Sequence, residues 1–256
     1  MSGLPDDALV RARELATGKA DWAPVTPRSA ATVLLLRETD AGLATYMMKR
    51  ARTMAFAASA YVFPGGRLDP EDLERGAQLD DSAFDFAALA RRLSTDEREA
   101  RGLLICAARE LEEEAGVVID PRSLVVIDHW VTPEWEALRY DVRFFVAYLP
   151  DGQEPAPRGT EAVEARWLAP AQAIREADAG EILLMAPTRA ALEHLLDHAE
   201  ISTLIASAHA REIVPRMDRL HVHDDGSTRF AIVHDRTGEI LSGDRPAPPP
   251  ETSRQA

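Results

Sequence analysis

In this 256-residue chain, the residue types and spacing best suited to chemistry are in Arg109-Glu110-Leu111-Glu112-Glu113-Glu114-Ala115-Gly116-Val117. On a helix, positions i, i+3 and i+4 share a face, so Glu110, Glu113 and Glu114 present three carboxylates together. Leu104, Ala108, Leu111 and Ala115 form an apolar stripe, and Glu112 points elsewhere. Clustered carboxylates repel one another unless a cation compensates. Hard cations such as Mg2+ or Mn2+ take oxygen ligands and retain waters and substrate phosphates in their shell. The plainer alternative is a solvated acidic stripe, partly offset by Arg109 pairing with Glu113 one turn on.

The surrounding residues favour the cation. The segment fits R-E-U-x-E-E-x-G-U, with U aliphatic, and it lies downstream of Tyr61-Val62-Phe63-Pro64-Gly65-Gly66. It resembles the box of the Nudix hydrolases, G-x5-E-x7-R-E-U-x-E-E-x-G-U. Gly66 and Arg109 are 43 positions apart where that pattern has 14, so 29 residues are inserted. Counting back eight from Arg109 reaches Arg101 instead of the box glutamate, with Glu97 and Glu99 as the nearby substitutes.

The interruption is similar to one branch of that family, whose animal members are peroxisomal coenzyme A diphosphatases. Gly66-Arg67-Leu68-Asp69, His129-Trp130-Val131-Thr132-Pro133, Arg139-Tyr140-Asp141-Val142-Arg143-Phe144-Phe145 and Trp167-Leu168-Ala169-Pro170 carry the likeness, over roughly residues 30–200. Lys49-Arg50-Ala51-Arg52 before Ala57-Ala58-Ser59-Ala60 is a loose echo of a coenzyme A signature.

The resemblance implies an α/β/α sandwich with a mixed sheet, a helical insertion within the box and a helical C-terminal extension. It also implies that Glu110, Glu113 and Glu114 bind Mg2+ or Mn2+, with the Gly66 carbonyl as a further ligand. The substrate would be a small nucleoside diphosphate linked to another moiety: coenzyme A or acyl-CoA ahead of ADP-ribose, NADH or sugar nucleotides. A non-catalytic nucleotide-binding regulator is the competing reading. The general base would be a box glutamate or a later loop glutamate, for which Glu161 is the first candidate and Glu164 the second. Arg109 belongs to this catalytic group, as a pairing partner for the glutamates more than as a catalyst.

Arg50, Arg52, Arg67 and Arg139 are candidate phosphate clamps, because guanidinium groups bind phosphate bidentately. Trp130, Trp135 and Phe56 are stacking candidates for a base, weighed against roles in the core. His221 and His223 share a strand face with no third ligand nearby, which argues against zinc. Phosphate-loop, dinucleotide-fold and nucleophile-elbow motifs are missing from the sequence.

Positioning the carboxylates requires a sheet and a helix. Ala30–Arg37 and Ala44–Lys49 read as a hairpin, followed by a strand ending in the Pro-Gly-Gly turn. Ser82–Leu93 is amphipathic, and Ser94-x-x-Glu97 is a capping box opening a helix over Thr95–Ala115 that Gly116 closes. Leu124–Val131, Asp141–Leu149 and Val163–Leu168 read as strands. Pro170–Ala179, Pro187–Ala199 and Ser202–Ile213 read as helices, and Leu220–His223 with Arg229–Val233 as a late hairpin. Ile201, Leu204 and Ile205 suit either a core or a homodimer interface.

This organises the chain as an N-terminal extension (1–28), a core domain (29–200, with the insertion at about 68–95), an extension (201–244) and a Pro-rich disordered tail (245–256). Asp plus Glu number 43 against 29 Lys plus Arg, a net charge of −14. That deficit of basic residues excludes nucleic-acid and membrane-surface partners. Cys106 is the only cysteine, a buried thiol in an apolar run. The first residues do not read as a signal peptide and no run is long enough to span a bilayer, so the expected location is the cytoplasm.

Overall fold

The computed structural model describes residues 6–51, 58–80, 82, 84–223, 225 and 227–246. Arg52, Phe56 and the prolines at 248–250 lie outside these residues. In chain order the elements are α1 (Asp6–Ala16), β1 (Arg28–Thr39), β2 (Gly42–Arg50), β3 (Ala60–Val62), β4 (Gly65–Arg67), α2 (Pro70–Gly76), α3 (Phe86–Leu93), α4 (Glu97–Ala115) and β5 (Val125–Val131). They continue with β6 (Tyr140–Tyr148), β7 (Ala162–Leu168), α5 (Pro170–Asp178), β8 (Leu183–Leu184), α6 (Ala186–Leu195), α7 (Ile201–Ala210), β9 (Arg216–Val222), β10 (Thr228–His234) and β11 (Ile240–Pro246). Among the described residues no helix is long and apolar enough to cross a membrane.

The described chain divides into two compact units. The larger comprises 28–130 and 140–214; the smaller comprises 1–27, 131–139 and 215–256. In the larger unit the strand order β5-β6-β1-β2-β3-β8 forms a mixed sheet. β1 runs parallel to β6 along its length, from Arg28 opposite Tyr140 to Leu36 opposite Tyr148. Its other edge is shared: β4 pairs antiparallel at Ala30–Thr32 and β2 at Leu36–Thr39. Val33, Leu34, Leu35 and Leu36 are all fully buried. Successive strand residues point to opposite faces, so both faces of the sheet are covered, as the sandwich requires.

α4 packs on one face. Leu103, Leu104, Ala107, Leu111 and Ala115 join Ala31, Val33, Leu35, Met48 and Phe145 in one core. Each fully buried leucine contributes about 1.5–3 kcal/mol. Three of the four expected stripe residues, Leu104, Leu111 and Ala115, are fully buried; the fourth, Ala108, is half-buried, and Ala107 is buried in its place. Gly116 closes the helix in the left-handed conformation, φ 73°, where glycine carries no Cβ penalty. α4 nevertheless begins two residues late. Ser94 is left-handed and ends α3, so Asp96 caps α4 instead, accepting from the Glu99 N–H at 2.8 Å.

Other expectations shift for similar tertiary reasons. Gly65 and Gly66 do more than turn the chain: they pair with β1 as β4. The insertion holds a second helix, α2, besides the expected amphipathic one, which starts at Phe86 and not Ser82, after an Asp85 cap. The expected helix over 202–213 ends at Ala210, and a third strand, β11, joins the late hairpin. Leu204 is fully buried and Ile201 nearly so, which gives those two a core role.

In the smaller unit, α1 contributes Ala8, Leu9 and Ala12 to a core with Trp135, Leu220 and Phe230. Arg139 belongs here. It is almost fully buried and donates to the Thr132 carbonyl at 2.9 Å and the Val25 carbonyl at 2.8 Å. Arg139 is therefore a buried tie for loop carbonyls, which corrects its assignment as a phosphate clamp. Arg139→Leu is expected to destabilise by about 1–3 kcal/mol, the cost of leaving buried acceptors unmet. Thermal melting measures the loss, and KM for any substrate should not change.

Candidate active site

Three elements of the larger unit meet at β4. α4 brings Glu110, Glu113 and Glu114; β4 brings Gly65 and Gly66; α2 brings Asp72. The Glu114 carboxylate accepts the Gly65 N–H at 2.9 Å. A methyl group on Gly66 would overlap the Glu110 carboxylate, so the lack of a side chain there is what lets that carboxylate abut β4. The Gly66 carbonyl meanwhile accepts from the Cys106 thiol at 3.6 Å. Cys106 is fully buried, and burial pushes its thiol far above the ordinary range.

Burial separates the three carboxylates. Glu110 is 14% exposed and Glu113 59%. Burial raises the Glu110 pKa against the opposing pull of Arg109. Burial also pushes Glu114 up to about 7, against the Gly65 N–H that favours its charged form.

Arg109 is the hub of the site. Its Nε and Nη2 hold Asp72 bidentately at 2.9 and 2.8 Å, and its Nη1 donates to Glu110 at 2.7 Å and to Glu113 at 3.1 Å. Asp72, 1% exposed, also accepts the Asp69 N–H at 3.0 Å. Its four-way hydrogen-bonding capacity is well used, which is how a buried carboxylate is tolerated. Asp72 lies six residues after Gly66. Counting forward from the glycine would have found an acidic residue in the place where the box has its glutamate. Counting back from Arg109 runs through the insertion and reaches Arg101, which instead donates to the Leu79 carbonyl. Glu99 takes the Ser29 and Thr95 hydroxyls and Glu97 is exposed, so neither joins the cluster.

Arg50 and Glu161 join on the far side of Glu114. Both influence its ionisation, and they face each other at 3.8 Å. The Glu161 carbonyl accepts the Ala51 N–H at 2.8 Å, which ties the loop to the end of β2. Glu164 instead meets Tyr61 on β3. The Arg67 side chain is exposed and paired with Asp69 at 2.9 Å; only its backbone carbonyl reaches Arg109. Trp130 and Trp135 are buried, with the Trp130 indole donating to Asp128.

Among the described residues, no three His, Cys, Asp or Glu side chains already converge as a metal cage. Arg109 lies between Glu110 and Glu113, and Glu114 faces β4. The donors present still fit a hard divalent cation. They are all oxygens, on one helical face, and the two most buried carry a desolvation cost that a cation would offset. Gly66→Ala is expected to displace Glu110 and lower kcat by on the order of tenfold to hundredfold, the cost of misplacing a group near the chemistry by about 1 Å. Unchanged kcat would show that Glu110 need not abut β4.

Residues 96–186 match the model of the NUDIX domain. The crystal structure of a NUDIX hydrolase from Alicyclobacillus acidocaldarius is similar to this chain with a TM-score of 0.58 and 22% identity, over 71% of this chain and 96% of that one. A MutT NUDIX hydrolase from Burkholderia pseudomallei is similar at a TM-score of 0.42 and 19% identity, covering 66% of this chain and 98% of its own. The NUDIX domain of NrtR from Shewanella oneidensis, solved with ADP ribose, is similar at a TM-score of 0.42 and 16% identity, covering 70% and 94%. The Alicyclobacillus structure establishes the fold.

Proposed function

We propose, from the NUDIX domain over residues 96–186, that this chain is a divalent-metal-dependent hydrolase of a nucleoside diphosphate linked to another moiety. The observation that carries the reading is the approach of Glu110 and Glu114 to the Gly65-Gly66 backbone, with Glu113 one turn along the same helix face. Glu110, Glu113 and Glu114, with the Gly66 carbonyl, would hold Mg2+ or Mn2+. When bound, the cation would supply neutralising charge and Lewis acidity to the diphosphate.

The other residues orient and transfer. Among the described residues the buried Arg50 Nε has no hydrogen-bond partner, a donor suited to a phosphate oxygen. Glu161, 59% exposed at the end of its loop, would take the proton of the attacking water on a carboxylate oxygen. As water adds at phosphorus, the anhydride P–O bond breaks and its electron pair leaves with the departing phosphate. Catalysis of this kind rests on positioning and charge.

The interrupted box, with its inserted α3, supports coenzyme A or an acyl-CoA as the substrate ahead of ADP-ribose, NADH and sugar nucleotides. The presence of all three carboxylates favours an enzyme over a binding module. A substrate panel tests both points: coenzyme A, acetyl-CoA, ADP-ribose, NADH and UDP-glucose, each with Mg2+ or Mn2+ and again with excess chelator. Metal-dependent release of 3′,5′-ADP from coenzyme A is expected. Turnover of another member alone would move the substrate, and ligand-dependent thermal stabilisation without turnover under either metal would replace the enzyme reading.

A further inference from the structure

Glu161 can serve as a base only if its loop holds it against the carboxylate helix, and the loop is held in an unusual way. The segment from Pro150 to Thr160 contains three prolines and two glycines and no regular element of its own. Such a segment is expected to sample many conformations. Here it is stitched to the C-terminal end of α4. The Ala156 N–H donates to the Ala115 carbonyl at 3.0 Å, and the Arg158 N–H to the Glu114 carbonyl at 2.9 Å. These are two of the four carbonyls that a helix end leaves without an intrahelical partner. The loop backbone thus caps the helix at the residue whose side chain lies on β4.

A side chain also joins the loop to the residues after α4. Gln153 Nε2 donates to the Val118 carbonyl at 2.8 Å, and Gln153 Oε1 accepts the Val118 N–H at 2.8 Å. A primary amide satisfying both groups of one backbone residue reproduces a strand-like pairing without a strand. It fixes the start of the loop, just as the Ala51 N–H fixes its end by donating to the Glu161 carbonyl at 2.8 Å. Only Gly159 and Thr160 lie between the last helix contact at Arg158 and that anchor.

We infer that Gln153 is a positioning residue for Glu161: its amide clamp on Val118 registers the loop on the end of α4 and so places the Glu161 carboxylate beside Glu114 and Arg50. This rests on the assignment of Glu161 as the base, and goes beyond it by assigning a role to a residue that touches neither substrate nor the carboxylates. Glutamine is the side chain that fits. Its carbonyl oxygen and NH2 group stand side by side and match a backbone C=O and N–H. Glutamate would lose the donor, and asparagine would fall one methylene short.

The experiment uses the full chain, with Gln153→Ala, Gln153→Glu, Glu161→Gln and the double variant Gln153→Ala/Glu161→Gln. Amide hydrogen exchange on the protein without added ligand reads the clamp directly. Faster exchange at Val118, Ala156 and Arg158 in Gln153→Ala, with the amides of β1 and β6 unchanged, is expected; unchanged exchange at those three amides overturns the clamp whatever the activity. With the substrate that the panel identifies, Gln153→Ala should lower kcat by on the order of tenfold to hundredfold and leave KM and Mn2+ binding within about twofold of wild type. Gln153→Glu should fall between Gln153→Ala and wild type. In the Glu161→Gln background the Gln153→Ala loss should vanish, because a misplaced group that is already disabled costs nothing further. Equal losses in both backgrounds would overturn the route through Glu161. If wild type hydrolyses no diphosphate, the exchange result still decides the clamp, and the failure then belongs to the functional reading.

Discussion

Glu114→Gln is expected to remove diphosphate hydrolysis and leave the fold intact. Glu114 is largely buried, and burial pushes its pKa up to about 7. Its charge is therefore held at a cost to the folded protein. Glutamine keeps the shape of the side chain and a carbonyl oxygen able to accept the Gly65 N–H, now made at 2.9 Å. Stability should be unchanged or slightly increased, because a neutral amide does not carry the desolvation cost of a carboxylate. Activity should behave in the opposite way, since a neutral oxygen is a poor ligand for a hard cation. A fall in kcat on the order of 10²–10⁴ is the range that a charge aimed at the reacting group commands. Turnover and thermal melting on the same preparation check both halves. Near wild-type turnover would remove Glu114 from the cation site; a collapsed melting temperature would make it a structural carboxylate.

Asp72→Ala should be the most destabilising single change in the site. The Asp72 side chain is 1% exposed and takes both arms of the Arg109 fork. Removing one partner of a buried ion pair costs about 3–5 kcal/mol, because the other charge is left without compensation. The low end applies here, since Arg109 keeps Glu110 at 2.7 Å and Glu113 at 3.1 Å. The Asp69 N–H also loses its acceptor, which frays the first turn of α2. Where the variant folds, Arg109 is free to swing further onto Glu110 and compete with a cation there. A raised metal requirement for half-maximal activity is therefore expected, and denaturant unfolding measures the stability loss. A variant with wild-type stability and metal requirement would show that Asp72 is dispensable, and that the arginine is held by the glutamates alone.

The two variants separate what was legible in the chain from what was not. Placing Glu110, Glu113 and Glu114 on one face needed only the helical period, and the stop at Gly116 only its left-handed conformation, φ 73°. Both are local properties, settled within one or two turns. The partner of Arg109 was legible in principle, six residues beyond Gly66, but it lies 37 positions from the arginine. A buried ion pair of that span is formed by packing α2 on α4, which no local pattern encodes.

Arg139 and Arg50 make the same point from the other direction. In sequence they are equivalent candidates for binding phosphate. In the structure Arg139 is consumed by the Thr132 and Val25 carbonyls, whereas Arg50 stands beside Glu161 with its Nε unmet among the described residues. Residue type specifies what a guanidinium can bind, and only its surroundings specify what it does bind.

The sequence by itself therefore determined the α/β character, the carboxylate face of α4 and the strands beneath it, because hydrophobic period and helix caps act over a few residues. The tertiary structure alone decided the site. It brought Gly66 against Glu110, Asp72 against Arg109 and the Gln153 loop against the end of α4. Each of these contacts joins separate segments of the chain, and its free energy exists only once the core between sheet and helix has closed.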